Sequence, residues 1–244
     1  MNNMKVLGVI TARGGSKGLK EKNILPLLGK PVIYYTIRKA LRSKLINRLV
    51  LSTEDERIAR ISNSYGVEII KRPKKLAMDS SAIENVLRQV VKFMERKDYI
   101  PDLIVLLYAN VPVRSDTIID KAIRKIIRTK ADAVISVTDV GKYHPYWLLR
   151  IDQKDKFRPF ISEKPYNYGY RRQELPQLYI HDGAVLVVRK AILMKNLAKT
   201  KLYSCFGNNI RVIYQKPEET VDIDNWYDLK LAEILLREKQ KIKK

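Results

Sequence analysis

Two short stretches hold residue types whose spacing suits chemistry on phosphate. The first is Arg13-Gly14-Gly15-Ser16-Lys17-Gly18-Leu19-Lys20-Glu21-Lys22-Asn23. Glycines let backbone N–H groups approach phosphate oxygens, and Arg13, Lys17 and Lys22 bring the positive charge that a triphosphate requires. No Gly-Lys-Ser/Thr closes the run and it lacks Gly-x-Gly-x-x-Gly spacing, which excludes a P-loop and a dinucleotide-binding turn. By itself the run is either a phosphate cradle or a basic surface loop. The second stretch is Asp222-Ile223-Asp224. Two carboxylates one residue apart in an extended segment point the same way and suit a hard divalent cation, Mg²⁺ where phosphate oxygens complete its shell. Asp224 also stands where the cap of the last helix belongs, so the pair reads as metal ligands, as a cap, or as both.

Other residues carry weaker signals. Ser81 with Glu84 spells a capping box, a structural role, although a helix N-terminus beside Ser80 and Ser81 also offers free N–H groups to a ligand. Arg72, before Pro73 at a strand end, is placed to reach a crevice. Arg114 is placed similarly, or pairs with a surface acid. His144 and His181 stand alone, and Cys205 reads as a small buried residue rather than a nucleophile.

The elements that must position these groups alternate along the chain. Residues 5–12 read as a buried strand leading into the glycine-rich run. Pro31 opens a helix with Ile33, Ile37, Ala40 and Leu41 on one face. Residues 49–53 form a strand, after which Thr53 caps a helix, Glu56 completes its capping box and Gly66 ends it. Residues 67–71, 103–108 and 133–137 are further strands, separated by a helix from Ser80 or Ser81 and one carrying Ile119, Ile123 and Ile126. Strands at 183–188 and 211–214 and a helix over 226–239 close the chain. The rhythm predicts an α/β fold, a single domain over residues 1–244 with a mostly parallel sheet covered by helices on both faces. In such sheets ligands sit at the carboxyl ends of the strands, which is where the glycine run falls. Residues 141–176, rich in Pro, Tyr, Lys and Arg, break the rhythm and read as a functional excursion or a subunit contact.

Composition narrows the class. The chain has 244 residues, 45% of them hydrophobic, which excludes disorder and collagen. No apolar run approaches the ~20 residues of a membrane helix. One cysteine excludes an internal disulfide and fits a reducing cytoplasm, and the first residues run into strand-like sequence, so no signal peptide is expected. Two histidines without paired cysteines argue against a structural zinc site. Against 26 Asp+Glu stand 48 Lys+Arg, a formal net charge of +22. These cations are mixed with acids along the whole chain, dense only over 237–244, and no nucleic-acid-binding motif accompanies them. An anionic small substrate or a solvated surface accounts for them better than nucleic acid.

Taken together, the glycine run, the Arg-Pro strand end and the Asp-x-Asp resemble one family, the acylneuraminate cytidylyltransferases, which make CMP-activated nonulosonic acids. The likeness is carried by residues 11–24, 28–40, 67–81, 106–115 and 172–177, and by TVDIDNWYDLKLAE at 220–233. It implies a Rossmann-like nucleotidyltransferase that moves CMP from CTP to the anomeric hydroxyl of a 2-keto-3-deoxy sugar acid and releases pyrophosphate. By resemblance, Arg13 and Lys22 within the loop Gly14, Gly15, Ser16 and Lys17 hold the triphosphate, and Asn23 the nucleoside. Arg72, Ser80 and Ser81 bound the cytosine pocket, Asp222 and Asp224 hold Mg²⁺, and Arg172 and Gln173 face the sugar acid. Residues 141–176 become a dimerisation arm reaching toward the partner's site. The sugar side departs from the family pattern: a glutamine at the end of the fourth long strand is Tyr108, an Arg-Pro-Asn-Gly run is Ile180-His181-Asp182-Gly183, and an arm lysine is Trp147. Which sugar acid is used, and whether Asp222 or metal activation takes the hydroxyl proton, stay open. The competing readings are a sugar nucleotidyltransferase with another base or a sugar 1-phosphate acceptor, and a non-catalytic nucleic-acid-binding relative.

Overall fold

The computed structural model describes residues 4–15, 18–161, 171–195 and 204–241. Strand β1 (Val6–Thr11) is buried along its whole length, and its side chains alternate between two cores: Val6 and Ile10 enter one, Leu7 and Val9 the other. A strand apolar on both faces must lie inside a covered sheet. After it come a two-residue ribbon, β2 (Pro26–Leu27) with β3 (Lys30–Pro31), then α1 (Val32–Leu41), β4 (Arg48–Thr53), α2 (Glu56–Asn63) and β5 (Glu68–Lys71). Next are α3 (Ile83–Glu95), β6 (Leu103–Tyr108), α4 (Ile118–Thr129) and β7 (Ala133–Asp139). The chain then forms β8 (Leu149–Ile151), β9 (Phe157–Pro159), β10 (Tyr179–Arg189), α5 (Lys190–Leu193), β11 (Ile210–Tyr214) and α6 (Trp226–Lys241).

Seven strands make one sheet in the order β11-β7-β10-β6-β1-β4-β5. All neighbours are parallel except β10, which runs antiparallel to β6 and β7 and shifts register between His181 and Leu186. The expected α/β architecture with a mostly parallel sheet is therefore observed. Ile33 and Ile37 of α1, Ile58 of α2 and Ile123 of α4 cover one face. Leu87 and Val90 of α3 and Leu193 of α5 cover the other. Helix α6 closes a third cluster, setting Leu229, Ala232 and Leu236 against Leu27, Val32 and Ile223. Among the described residues no helix is long and apolar enough to cross a membrane.

Several helix starts differ from expectation. Asp55, not Thr53, caps α2: its Oδ1 accepts the Arg57 and Ile58 N–H groups at 2.8 and 3.2 Å. Thr53 is still the last residue of β4, so the carboxylate two residues on lies nearer the free N–H groups; the Thr53 hydroxyl accepts the Asp55 N–H instead. Ser81 forms no capping box either. Ala82 occupies the cap of α3, and the Ser81 hydroxyl donates to the Lys75 carbonyl at 2.8 Å. Pro31 is the cap of α1 rather than its first helical residue. In the irregular stretch, β8 and β9 form a separate two-stranded sheet with Ile151 and Phe157 exposed, and residues 162–170 lie outside the described set.

Arg114 overturns both of its expected roles, neither reaching the crevice nor meeting a surface acid. Its side chain is fully buried. Nε donates to the Ala184 carbonyl at 3.0 Å, one terminal nitrogen to Thr36 Oγ1 at 2.7 Å, and the other to the Tyr108 carbonyl at 3.0 Å. The Thr36 hydroxyl lies 3.2–3.3 Å from the carbonyls of Tyr108, Ala109 and Val111. One guanidinium thus ties α1, the end of β6 and β10 together. Burial pulls its pKa down to about 9, opposed by Asp182 and Asp222, so it stays charged at neutral pH. Arg114→Met keeps apolar bulk but leaves the buried carbonyls short of a donor. It is expected to lower stability to urea by on the order of 3 kcal/mol, against about 1 kcal/mol for Asp55→Ala, which removes only a helix cap. Equal losses in the two variants would show that the knot holds no special share of the stability.

Candidate active site

A cleft of about 310 Å³ opens at the carboxyl ends of β1, β5 and β6. Arg13, Lys22 and Asn23 of the glycine-rich run form one wall, and the turn from Leu76 to Ile83 forms the opposite one. Thr11, Tyr108, Asn110 and Asp222 lie between them. The tertiary fold thereby gathers residues from both ends of the chain at the place where open parallel sheets bind ligands.

The loop wall is held by side chains the sequence reading passed over. Glu54 Oε1 accepts the Gly14 N–H at 2.7 Å. Position 14 must be glycine, because a Cβ there would fall 2.4 Å from Asp55 Oδ2. Asn23 is buried; its Nδ2 donates to the Arg13 carbonyl at 3.0 Å, while its Oδ1 has no hydrogen-bond partner among the described residues. A buried acceptor beside a cleft is costly unless a ligand donor meets it. Arg72 is buried too, and donates to the Ser52 hydroxyl and, at 2.7 Å, to the Ser52 carbonyl. Burial lowers its pKa, and the Glu54 charge opposes that.

Charges face each other across the cleft. Arg13 pairs with Asp79 at 2.5 Å and Lys22 with Asp224 at 2.7 Å, so an anionic ligand would compete with two carboxylates for these cations. The Asp-x-Asp segment is extended, with Val221 bridged to Val113 and the Ile223 N–H donating to the Asn110 carbonyl at 2.9 Å. Ile223 is fully buried, which turns its neighbours Asp222 and Asp224 to the other side. Asp224 is not the cap of α6. Asn225 Oδ1 accepts the Asp228 N–H, and Asp228 Oδ2 accepts those of Asn225 and Asp224, leaving the Asp224 side chain for Lys22. Asn110 Nδ2 donates to Asp222 Oδ1. The Asp222 carboxyl is pushed up to about 6, first by burial and then by the Asp224 charge, with Lys22 opposing.

Among the described residues no three His, Cys, Asp or Glu side chains gather as a metal site. The Asp222/Asp224 pair nevertheless fits Mg²⁺, which commonly takes one or two carboxylates and completes its shell with phosphate oxygens and water. A cation there would relieve the two causes that raise Asp222, a poorly solvated charge and a like neighbour.

Ser81 lines the cleft, whereas Ser80 is exposed and does not. Ser16 and Lys17 lie outside the described residues. Gly15 makes no close approach. Arg172 and Gln173 occupy an exposed single turn, Arg172–Glu174, where Arg172 borders a separate small hollow with His144 and Gln177. His144 is structural there: its Nδ1 accepts the Tyr146 N–H and its Nε2 lies 3.1 Å from the Pro176 carbonyl, with Trp147 against its ring. Asp182 is likewise structural, accepting from Gln215 Nε2 at 2.7 Å, the Ala184 N–H and the Ser136 hydroxyl. Thr11, Glu54, Asp79 and Asn110 were missed because nothing in their own neighbourhoods marks them; only Asp79, an acid beside the Ser80/Ser81 pair, offered a hint.

A family model described as Cytidylyltransferase matches residues 7–241. The chain is 31% identical over 239 residues to the post-translational flagellin modification protein B of Campylobacter coli, covering 96% of each. It is 30% identical to a pseudaminic acid cytidylyltransferase of Campylobacter jejuni, covering 96% of this chain and 97% of that one. It is also 30% identical to an N-acylneuraminate cytidylyltransferase of Escherichia coli, with 98% of this chain matching 54% of that protein. A solved structure of CMP:2-keto-3-deoxy-manno-octonic acid synthetase complexed with CTP shares the fold at a TM-score of 0.72 and 18% identity, over 96% of this chain and 99% of that one.

The raised Asp222 pKa has a consequence for stability. A carboxyl held above its unperturbed 3.8 costs stability once it ionises, so the cost is present above about 6 and fades as pH falls toward 3.8. Asp222→Asn is expected to be more stable than the unaltered protein near pH ~8, by about 1 kcal/mol because solvent screens part of the charge of this exposed carboxylate, with the gain gone near pH ~4. Denaturant midpoints across that range test it; a gain independent of pH would place its cause elsewhere.

Proposed function

We infer the reaction from one premise: this chain belongs to the cytidylyltransferase family. It transfers CMP from CTP to the anomeric hydroxyl of a nonulosonic acid of the sialic, pseudaminic or legionaminic type, with Mg²⁺ as cofactor and pyrophosphate as the other product. Relatives named for pseudaminic, N-acylneuraminic and diacetyllegionaminic acids support the acceptor class. The observation that carries the reading is the meeting of Arg13 and Lys22 with the Asp222 carboxylate in one cleft at the strand ends.

Both reactants are anions, so their approach needs positive charge and fixed orientation more than covalent help. Arg13 and Lys22 supply the charge toward the triphosphate, giving up Asp79 and Asp224 to do so. Asn23 offers its unpaired Oδ1 to a nucleoside hydroxyl, and Arg72 with Ser81 bounds the base. The oxygen of the sugar's C2 hydroxyl attacks the α-phosphorus in line and releases its proton, the bond from that phosphorus to the bridging oxygen breaks, and pyrophosphate leaves. Asp222 and Asp224 would hold the divalent cation, which when bound polarises phosphate oxygens. Tyr108, beside Asp222 in the cleft, faces the acceptor.

The whole chain acts as one catalytic domain, and residues 141–176 serve as its contact with a second copy. Ile151 and Phe157, 74% and 68% exposed, leave both strands of the β8–β9 ribbon apolar toward solvent, an arrangement that a homodimer would cover. Arg172 and Gln173, which do not line this chain's own cleft, would then approach the partner's. Nucleic acid has no part in this reading.

Pyrophosphate release with CTP, UTP, GTP and ATP, each paired with a panel of nonulosonic acids, tests the reaction. Release with CTP and one sugar acid is expected, with Asp224→Ala slower by about 10²–10³-fold; equal turnover with UTP, or an unaffected variant, would refute it. Sedimentation tests the arm: a dimer of the 28.4 kDa chain is expected, dissociated by Phe157→Glu. A monomeric unaltered chain would remove the arm's proposed role.

A further inference from the structure

The cytidylyl-transfer reading leaves Asn110, a polar residue of the cleft, without a role. Asn110 follows β6 in a turn whose backbone is fixed on every side. The carbonyls of Tyr108, Ala109 and Val111 meet the Thr36 hydroxyl, the Tyr108 carbonyl also takes Arg114, and the Ala109 N–H donates to the Thr11 carbonyl at 3.2 Å. From this rigid base Asn110 makes three bonds to the Asp222–Ile223 pair. Its carbonyl accepts the Ile223 N–H at 2.9 Å, and its side-chain nitrogen donates to Asp222 Oδ1 and, at 3.2 Å, to the Ile223 carbonyl. Both side-chain partners are acceptors, so the amide nitrogen has to face them whichever way the group is drawn.

The two oxygens of Asp222 are thereby made unequal. Oδ1 is held by Asn110, while Oδ2 has no hydrogen-bond partner among the described residues. Beside Oδ2 lies Gly183, whose φ of +70° suits glycine and where a Cβ would come within 3.3 Å of that oxygen. One oxygen is pinned and the other is kept clear. Resting on the reading above, we propose that Asn110 is a positioning residue that fixes the Asp222 carboxylate so that Oδ2 is the oxygen presented to the divalent cation and the α-phosphate. Asn110 touches neither; it acts through Asp222, as groups that hydrogen-bond a metal ligand do elsewhere.

The test compares Asn110→Leu, close in size but without a donor, Asn110→Ala, which removes the amide without adding bulk, and Asn110→Gln, which keeps it. Mn²⁺ affinity in the presence of CTP, read by electron paramagnetic resonance without sugar acid or turnover, gives one measure; kcat and KM for CTP give another. Asn110→Leu and Asn110→Ala are expected to weaken Mn²⁺ binding by about 10-fold or more and to lower kcat by about 10–100-fold. KM for CTP should stay within about twofold, since the triphosphate loop is untouched, and Asn110→Gln should recover part of both losses. If either donor-free variant folds and keeps the unaltered Mn²⁺ affinity and kcat, the proposal is overturned. An unaltered protein that turns over CTP while these variants match it sinks only the role of Asn110. One that binds no Mn²⁺ with CTP and releases no pyrophosphate sinks the cytidylyl-transfer reading and this role with it.

Discussion

A positive charge buried without a carboxylate in contact is the constraint around which the cleft is built. Arg114 donates only to carbonyls and to the Thr36 hydroxyl, and its nearest acids, Asp182 and Asp222, act on it through space. Such a group is tolerated only where each of its nitrogens finds an acceptor in fixed geometry. Meeting that requirement locks together α1, the turn after β6 and the middle of β10. The same turn presents Asn110 to Asp222, and the β10 segment it grips brings Gly183 beside the same carboxylate. The floor of the cleft is therefore positioned by an ion that never reaches it.

The charges that do reach the cleft differ in kind from those on the surface. Along α6, Arg237 and Lys230 pair with Glu233 on the helix surface, where such pairs add little to stability. In the cleft, Asp222 keeps surface open to water, but the crowding cleft walls and the second carboxylate beside it push its pKa up. A protein selected for stability alone would not retain the cost of ionising it there, and the proposed site for a cation and a triphosphate would account for it. Net charge taken alone pointed only to anionic partners in general.

The likeness to known proteins covers nearly the whole length of the chain, yet the two halves of the proposed reaction are not equally housed within it. Of the groups assigned to the nucleotide, Arg13, Lys22, Asn23, Arg72 and Ser81 line one cleft; Gly14 and Gly15 do not, Ser80 is exposed, and Ser16 and Lys17 fall outside the described residues. Those assigned to the sugar acid divide between Tyr108 in the cleft and Arg172 with Gln173 on an exposed turn beside a separate hollow. The nucleotide groups sit on strand ends and the loops directly following them, whose positions the sheet dictates. Strands β8 and β9 form their own two-stranded sheet, outside that frame.

The order of strands and helices was legible from the sequence because it rests on local periodicity: VLGVIT must be a doubly covered strand, and Ile119, Ile123 and Ile126 of α4 must share a face. The glycine run and the Asp-x-Asp were legible because backbone approach and side-chain alternation are also local properties. The helix caps were not settled by sequence. Thr53 and Asp55, or Asp224 and Asn225, compete within two residues, and the winner depends on where the strand ends and on which side chain is engaged elsewhere, as Lys22 engages Asp224 from 202 positions away. Arg114 was misjudged for the same reason, since Thr36, which decides its burial, lies 78 positions away. Sequence by itself determined the fold class and the two chemical stretches. Only the tertiary structure decided that Asn110, Glu54 and Asp79 join them, because those residues owe their places to contacts between distant segments.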